Sequence, residues 1–323
     1  MSVAGRLETP FRLEGRRVWV AGHGGMVGQA LVRRLARENC ELLTVDHAAL
    51  DLRRQSEVEQ WVEAHRPEVV FAAAATVGGI LANDTRPAEF LYDNLLIESN
   101  IVEAARRTGV AKLLLLGSSC IYPRDAAQPI AESALLSGPL EPTNQWYAVA
   151  KIAGLKLCQA YRRQYGMDCI AAMPTNLYGP GDNFDLQSGH VVPALLRRIH
   201  EAKELGADRV TIWGTGRPRR EFLHVDDCAA ALVHLMKNYS DEVPVNVGTG
   251  QDLTIRELAE TIARVVNYTG EFTFDASRPD GTPRKLLDVR RIEALGWRPT
   301  IGLEDGLKST YDWYVRNPSA RSA

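Results

Sequence analysis

The chain has 323 residues, 45% of them hydrophobic, with a formal net charge of -2 and an isoelectric point near 6.4. That length suits about two domains with sizeable cores, and the charge balance excludes a global attraction to nucleic acid or an anionic membrane. The apolar runs at 69–75 and 113–116 are too short to span a bilayer, and five scattered cysteines lack paired spacing for zinc, so reduced thiols, a cytoplasmic setting and no metal are expected.

Residues 1–14 lack an apolar signal core and read as a short flexible tail. Arg17-Val18-Trp19-Val20-Ala21 reads as a buried strand, followed by glycines at 22, 25 and 28 and an amphipathic helix. A dinucleotide needs this order. Glycine allows a tight turn and close backbone approach, and free N–H groups at the helix N-terminus meet the pyrophosphate. The next strand, 41–45, ends at Asp46, eighteen residues after Gly28. A carboxylate there accepts hydrogen bonds from ribose hydroxyls and repels a 2′-phosphate, although Asp equally suits a turn. Asp51-Leu52 reads as the opening of another helix.

Further strands are predicted near 69, 112 and 169, and helices near 55, 87, 100 and 145. Apolar strands alternating with amphipathic helices predict an α/β fold: a Rossmann-type doubly wound parallel sheet covered on both faces. After Tyr178 the chain turns to loops, arginine pairs and short helices, which predicts a smaller, discontinuous α/β substrate-binding domain. The expected division is a dinucleotide-binding domain over 15–178, with 224–248 returning to it, and a substrate domain over 179–223 and 249–318.

Tyr147 and Lys151 stand four apart on the helix predicted near 145, so they share a face. The ammonium then favours the ionised phenol, and such a phenol can exchange a proton with a sugar oxygen while a cofactor moves a hydride. The spacing alone also occurs on solvated helices. Its context here is the strand that runs out into Gly117-Ser118-Ser119-Cys120-Ile121-Tyr122.

These motifs, with Leu140-Glu141-Pro142-Thr143-Asn144, Met173-Pro174-Thr175-Asn176-Leu177-Tyr178-Gly179-Pro180, Arg220-Glu221-Phe222-Leu223-His224-Val225-Asp226-Asp227 and Asp280-Gly281-Thr282-Pro283-Arg284-Lys285, carry a resemblance over about residues 17–313. The chain resembles the extended short-chain dehydrogenase/reductase family, and within it the enzymes that convert GDP-4-keto-6-deoxy-D-mannose to GDP-L-fucose. The resemblance implies epimerisation at C3 and C5, then reduction at C4. Cys120 would be the epimerisation base and His190 the general acid. Ser118 and Tyr147 would hold the C4 oxygen, Tyr147 would donate its proton as hydride arrives, and Lys151 would also bind the nicotinamide ribose.

The resemblance also places Gly22, Gly25, Met26, Val27, Gly28, Asp46, Pro174, Asn176, Leu177 and His190 along the cofactor. Asn176, Arg198, Trp213, Arg220, Asp280 and Lys285 would meet the GDP-sugar, the cations on its pyrophosphate. Taken alone, Cys120 suits a core, His190 a structural hydrogen bond and Arg198 solvated charge. Related dehydratases carry Thr-Asp-Glu in the loop of Ser118, the Asp supplying the acid that expels water; this chain has no Asp there, which disfavours water loss.

The implied cofactor is NADPH. Against it, Gly24 stands where NADPH users of the family carry Arg, and Asp46-His47 where Arg, Ser or Lys follow the second strand. His47, Arg53 and Arg54 can still reach a 2′-phosphate, but Asp46 opposes one, so NADH is expected to be tolerated or preferred. A homodimer through helices near 90–107 and 145–165 is implied as well. Other readings are the same chemistry on a colitose-type GDP-4-keto sugar, an NAD-retaining sugar-nucleotide 4-epimerase that gives Cys120 and His190 no task, and a non-catalytic dinucleotide sensor.

Overall fold

The computed structural model describes residues 4–186, 188–277 and 280–321. Five strands, β1 (Arg17–Ala21), β2 (Glu41–Leu43), β3 (Val69–Ala72), β4 (Lys112–Leu116) and β5 (Cys169–Pro174), join Val245–Val247 in one sheet, in the order Val245–Val247, β5, β4, β3, β1, β2. Every pairing in it is parallel. Alternate residues of a strand point to opposite faces. Trp19, Val70, Leu113 and Leu115 accordingly enter one core, and Val18, Val20, Val69 and Leu114 the other.

Among the helices are α1 (Met26–Leu35), α2 (Gln55–His65), α3 (Ile80–Thr85), α4 (Pro87–Thr108), α5 (Gln145–Tyr165), α6 (Val191–Glu204), α7 (Val225–Asn238) and α8 (Ile255–Val266). The first core is sealed by α2, α4 and α5, the second by α1 and α7.

Three sequence expectations are corrected. The two helices expected near 87 and 100 are one 22-residue helix, α4. Pro87 occupies its first turn, Gly109 ends it in the left-handed conformation, and no glycine or proline interrupts a buried stripe that runs through Phe90, Asn94, Ile97, Ile101 and Ala105. The helix expected to open at Asp51 opens at Gln55, because the Asp51 carboxylate accepts from Arg53 N at 3.0 Å and holds a turn. The segment read as a flexible tail lies along the end of α7 over its described part: Leu7 N donates to Asn238 O at 2.9 Å, Phe11 N to Lys237 O at 2.7 Å, and Leu13 is buried in the second core. Residues 1–3 lie outside the described residues.

Beyond β5 the strands shorten. Strand β6 (Asn176–Tyr178) pairs with β9 (Phe222–His224), β7 (Arg209–Trp213) with β12 (Glu271–Asp275), and β8 (Arg219–Arg220) lies between β11 (Leu253–Thr254) and β13 (Arg284–Lys285), Val245–Val247 being β10. A third core under α6 and α8 supports this lobe. Among the described residues no helix is long and apolar enough to cross a membrane.

Candidate active site

A cavity of about 810 Å³ opens above the carboxyl ends of the sheet strands and runs into the second lobe. At one end is the glycine loop. Gly22 has φ +85°, and a Cβ there would lie 2.6 Å from the Ala74 Cα; a Cβ on Gly28 would overlap the Gly22 carbonyl. Neither position admits a side chain. The N-terminus of α1 has no side-chain cap and no acidic residue in its first turn, so its N–H groups face the cavity beside Gly25, Met26 and Val27. This cradle fits a dinucleotide pyrophosphate.

Asp46 lies just past β2 on the cavity lining, its side chain 84% exposed and 3.4 Å from His23 Nε2. His47 lines the cavity too. Arg53, expected to reach a 2′-phosphate, is already engaged: Asp51 holds its guanidinium at 2.9 Å and Asp93 at 3.4 Å. Arg53 in turn draws the Asp51 carboxyl down to about 2. Arg54 is off the lining, 70% exposed and 4.0 Å from Asp51.

At the centre the lining brings together Ser118, Cys120, Tyr147, Lys151 and His190. Chain leaving β4 stays extended at Ser118, whose Oγ accepts from Cys120 N at 3.3 Å and caps the tight turn Ser119–Ile121. That turn sets Cys120 beside Tyr147. Burial pushes the Cys120 thiol up, opposed by the Lys285 ammonium and the Ser118 hydrogen bond. Burial likewise pushes Tyr147 up to about 12 although Lys151 acts to lower it. The expected help from the ammonium is therefore present in sign but outweighed.

Lys151 Nζ lies 5.7 Å from the Tyr147 ring centroid, donates to Leu116 O at 3.0 Å and pairs with Glu98 at 2.8 Å. Burial alone would lower its pKa; Glu98 and Tyr147 reverse that and hold it above the usual lysine value. His190 precedes α6 and opens onto the cleft. The protein packed around its ring lowers its pKa, which favours the neutral imidazole.

Pro174, Asn176 and Leu177 line the cavity where β5 passes to β6. Asn176 Nδ2 donates to Glu221 O at 2.8 Å, which fixes its orientation. At the far end Arg220 and Lys285 stand in register on the parallel pair β8 and β13 and both face the cavity. The other three residues expected on the sugar nucleotide are not on this lining. Arg198 stacks over Trp213, 4.4 Å from its ring centroid, and Asp280 accepts from Thr215 N at 2.7 Å and Thr215 Oγ1 at 2.8 Å, pinning the loop after β7.

Sequence reasoning missed several lining or supporting residues. Glu141 bridges the lobes, accepting from Thr143 at 3.4 Å and from Thr282 at 3.2 Å. Thr76, after β3, is held by Asn94, whose amide bonds both its N–H and its carbonyl at 3.0 Å. Asn94 and Glu98 are buried polar groups on the core stripe of α4. A polar residue at a core position of an amphipathic helix was the available signal.

The model of the NAD dependent epimerase/dehydratase family matches residues 18–248. Over 307 residues the chain is 58% identical to the GDP-L-fucose synthase of Sinorhizobium fredii, covering 95% of this chain and 98% of that protein. Over 313 residues it is 56% identical to the GDP-L-fucose synthase of Escherichia coli, covering 94% and 97%. A GDP-L-fucose synthetase from Naegleria fowleri, solved with NADP bound, matches with a TM-score of 0.90 at 30% identity, covering 99% of this chain and 98% of that one.

Proposed function

Because the chain belongs to the NAD-dependent epimerase/dehydratase family, we propose that it epimerises GDP-4-keto-6-deoxy-D-mannose at C3 and C5 and then reduces C4, giving GDP-L-fucose. The observation that carries this reading is the convergence of Cys120 and His190 with Ser118, Tyr147 and Lys151 on one cavity that begins at the glycine loop. A reductase or 4-epimerase needs the last three alone. A second pair of proton carriers suits inversion of carbons made acidic by a neighbouring ketone.

A bound reduced nicotinamide supplies the hydride for C4. The residues of the chain do the rest. Cys120 takes the proton from C3 or C5 as a thiolate, a form that the Lys285 and Lys151 ammonium groups favour. His190 returns a proton on the other face. Ser118 and Tyr147 hold the C4 oxygen, where negative charge grows in the enediolate and again during reduction, and Tyr147 gives it the final proton. Arg220 and Lys285 bind the pyrophosphate.

Asp46 faces the adenosine ribose and repels a 2′-phosphate, while Arg53 is held by Asp51 and Asp93; NADH therefore competes with NADPH. Two chains pair through α4 and α5, which pack on each other and leave Tyr92, Leu95, Trp146 and Val149 exposed. The five thiols suit a reducing cytoplasm.

Purified protein is mixed with GDP-4-keto-6-deoxy-D-mannose and either NADPH or NADH. Loss of reduced-cofactor absorbance with formation of GDP-L-fucose is the expected result. Turnover of another keto sugar in its place overturns the substrate, and epimerisation without net cofactor oxidation overturns the reductase.

A further inference from the structure

Glu98 lies behind the cavity wall, on the buried face of α4, with its carboxylate 2.8 Å from Lys151 Nζ. Both residues are 2% exposed. Lys151 Nζ also donates to the Leu116 carbonyl at 3.0 Å, so two fixed contacts locate the ammonium at the end of β4. Among the described residues no other donor reaches the Glu98 carboxylate. Space for it comes from Gly154, three residues after Lys151 on α5, where a Cβ would overlap the carboxylate. A buried carboxylate with one cationic partner costs stability relative to an apolar pair of the same volume. Its place directly under the lysine of the reactive pair points to work done there.

We propose that Glu98 is a positioning residue for C4 reduction, fixing the Lys151 ammonium beside Tyr147 and balancing its charge. The step it serves rests on the proposed function above; its electrostatics belong to the unliganded chain. Burial pushes the Glu98 carboxyl up and Lys151 opposes this; at 2.8 Å the ion pair leaves both groups partnered. With Glu98 ionised, the cluster of Glu98, Lys151 and Tyr147 passes from neutral to one negative charge when it loses a proton. Without that carboxylate it passes from one positive charge to none. The first proton then leaves more easily, whichever group gives it up, because Tyr147 and Lys151 titrate as a pair. The other titratable groups facing the cluster are Cys120, from the turn after β4, and Cys158 on α5, while Lys285 on β13 faces Cys120.

The test is an NMR titration of substrate-free protein labelled with carbon-13 at tyrosine Cζ and lysine Cε, wild type against Glu98→Gln. Signals of Tyr147 and Lys151 are assigned by their loss in Tyr147→Phe and Lys151→Arg. Glu98→Gln is expected to lower the pH of the first proton loss from the pair by about one unit or more. Coincident curves overturn the proposal. Glu98→Asp, which keeps the charge but draws it back by one methylene, gives a smaller shift of the same sign and serves if the glutamine variant does not fold; an unmoved curve there also overturns it. In turnover, Glu98→Gln lowers the alkaline limb of C4 reduction and reduces kcat more than it raises the KM of the keto sugar. Slower reduction with an unmoved limb marks a purely scaffolding side chain and overturns the proposal. A wild-type protein that fails to reduce the sugar defeats the functional reading while the titration still decides the role of Glu98.

Discussion

The half of the molecule that holds the glycine loop and the half that holds Arg220 satisfy their backbone in different ways. In the six-stranded sheet, β3 and β4 are buried at every position, and parallel ladders pair their N–H and C=O groups with one another. In the other half β8, β11 and β13 have two residues each. Ladders that short leave loop N–H groups over, and carboxylates take them up. Buried Glu221 accepts from Thr249 N at 2.6 Å, Gly250 N at 2.7 Å and Leu287 N at 3.0 Å. From α7, on the sheet side, Asp227 accepts from Thr300 N at 2.9 Å and Ile301 N at 2.8 Å of the other half. The sheet half thus holds its strands through ladders, whereas the half that holds Arg220 has its loops held by acidic side chains.

The largest effects test whether the chemistry sits on the sheet half. Tyr147→Phe is expected to slow C4 reduction about 10²–10⁴-fold while solvent deuterium still enters C3 and C5. Cys120→Ala is expected to abolish that exchange. Normal exchange in Cys120→Ala would remove the thiol from the mechanism.

The pH dependence sharpens the same assignment. Burial holds the Cys120 thiol above its usual value, and the protein packed around the cleft-facing His190 ring holds it below its own, so between the two the gain in thiolate with rising pH is offset by loss of imidazolium. Wild-type epimerisation should be flat from about pH 7 to 8.5, and the residual exchange of His190→Ala should rise with pH across that window. A rising wild-type profile would contradict the pairing of the two groups.

Next in size is the clamp of the half that holds Arg220. Glu221→Ala strips three backbone donors of their acceptor and is expected to cost roughly 2–4 kcal/mol, read by urea unfolding; a loss below about 1 kcal/mol would break the contrast between the halves. Asp46→Ala tests the proposal that this carboxylate opposes a 2′-phosphate. The ratio of kcat/KM for NADPH to that for NADH should rise on the order of tenfold, or about 1.4 kcal/mol. An unchanged ratio would free Asp46 of that role. The smallest effect belongs to Thr254, whose side chain and Glu257 form a capping box at the start of α8. Thr254→Ala should cost about 1 kcal/mol in the same unfolding measurement and leave turnover unchanged.

The motif over 220–227 shows how far the sequence could be read. The eight residues are one motif of the family resemblance, yet Arg220 alone of them lines the cavity. Glu221 clamps loops, the His224 ring accepts from Asp226 N at 3.2 Å and caps α7, and Asp227 holds the chain at Thr300. Those partners lie up to seventy-four residues away, beyond the reach of any local pattern. Arg53 teaches the same lesson, since its positive charge was legible but its capture by Asp93, forty residues on, was not.

What the sequence determined by itself are the features governed by neighbours in the chain. Apolar runs gave the strands, glycine spacing gave the loop before α1, and a four-residue interval put Tyr147 and Lys151 on one face of α5. The fold of helix on parallel sheet follows from that alternation. The tertiary structure alone decided what lies behind those residues: that Glu98 reaches across from α4 into the space left by Gly154 to hold Lys151, and that burial of Tyr147 outweighs the lysine beside it. Desolvation and long-range charge depend on every element packed around a group, and a chain read residue by residue does not contain that distance.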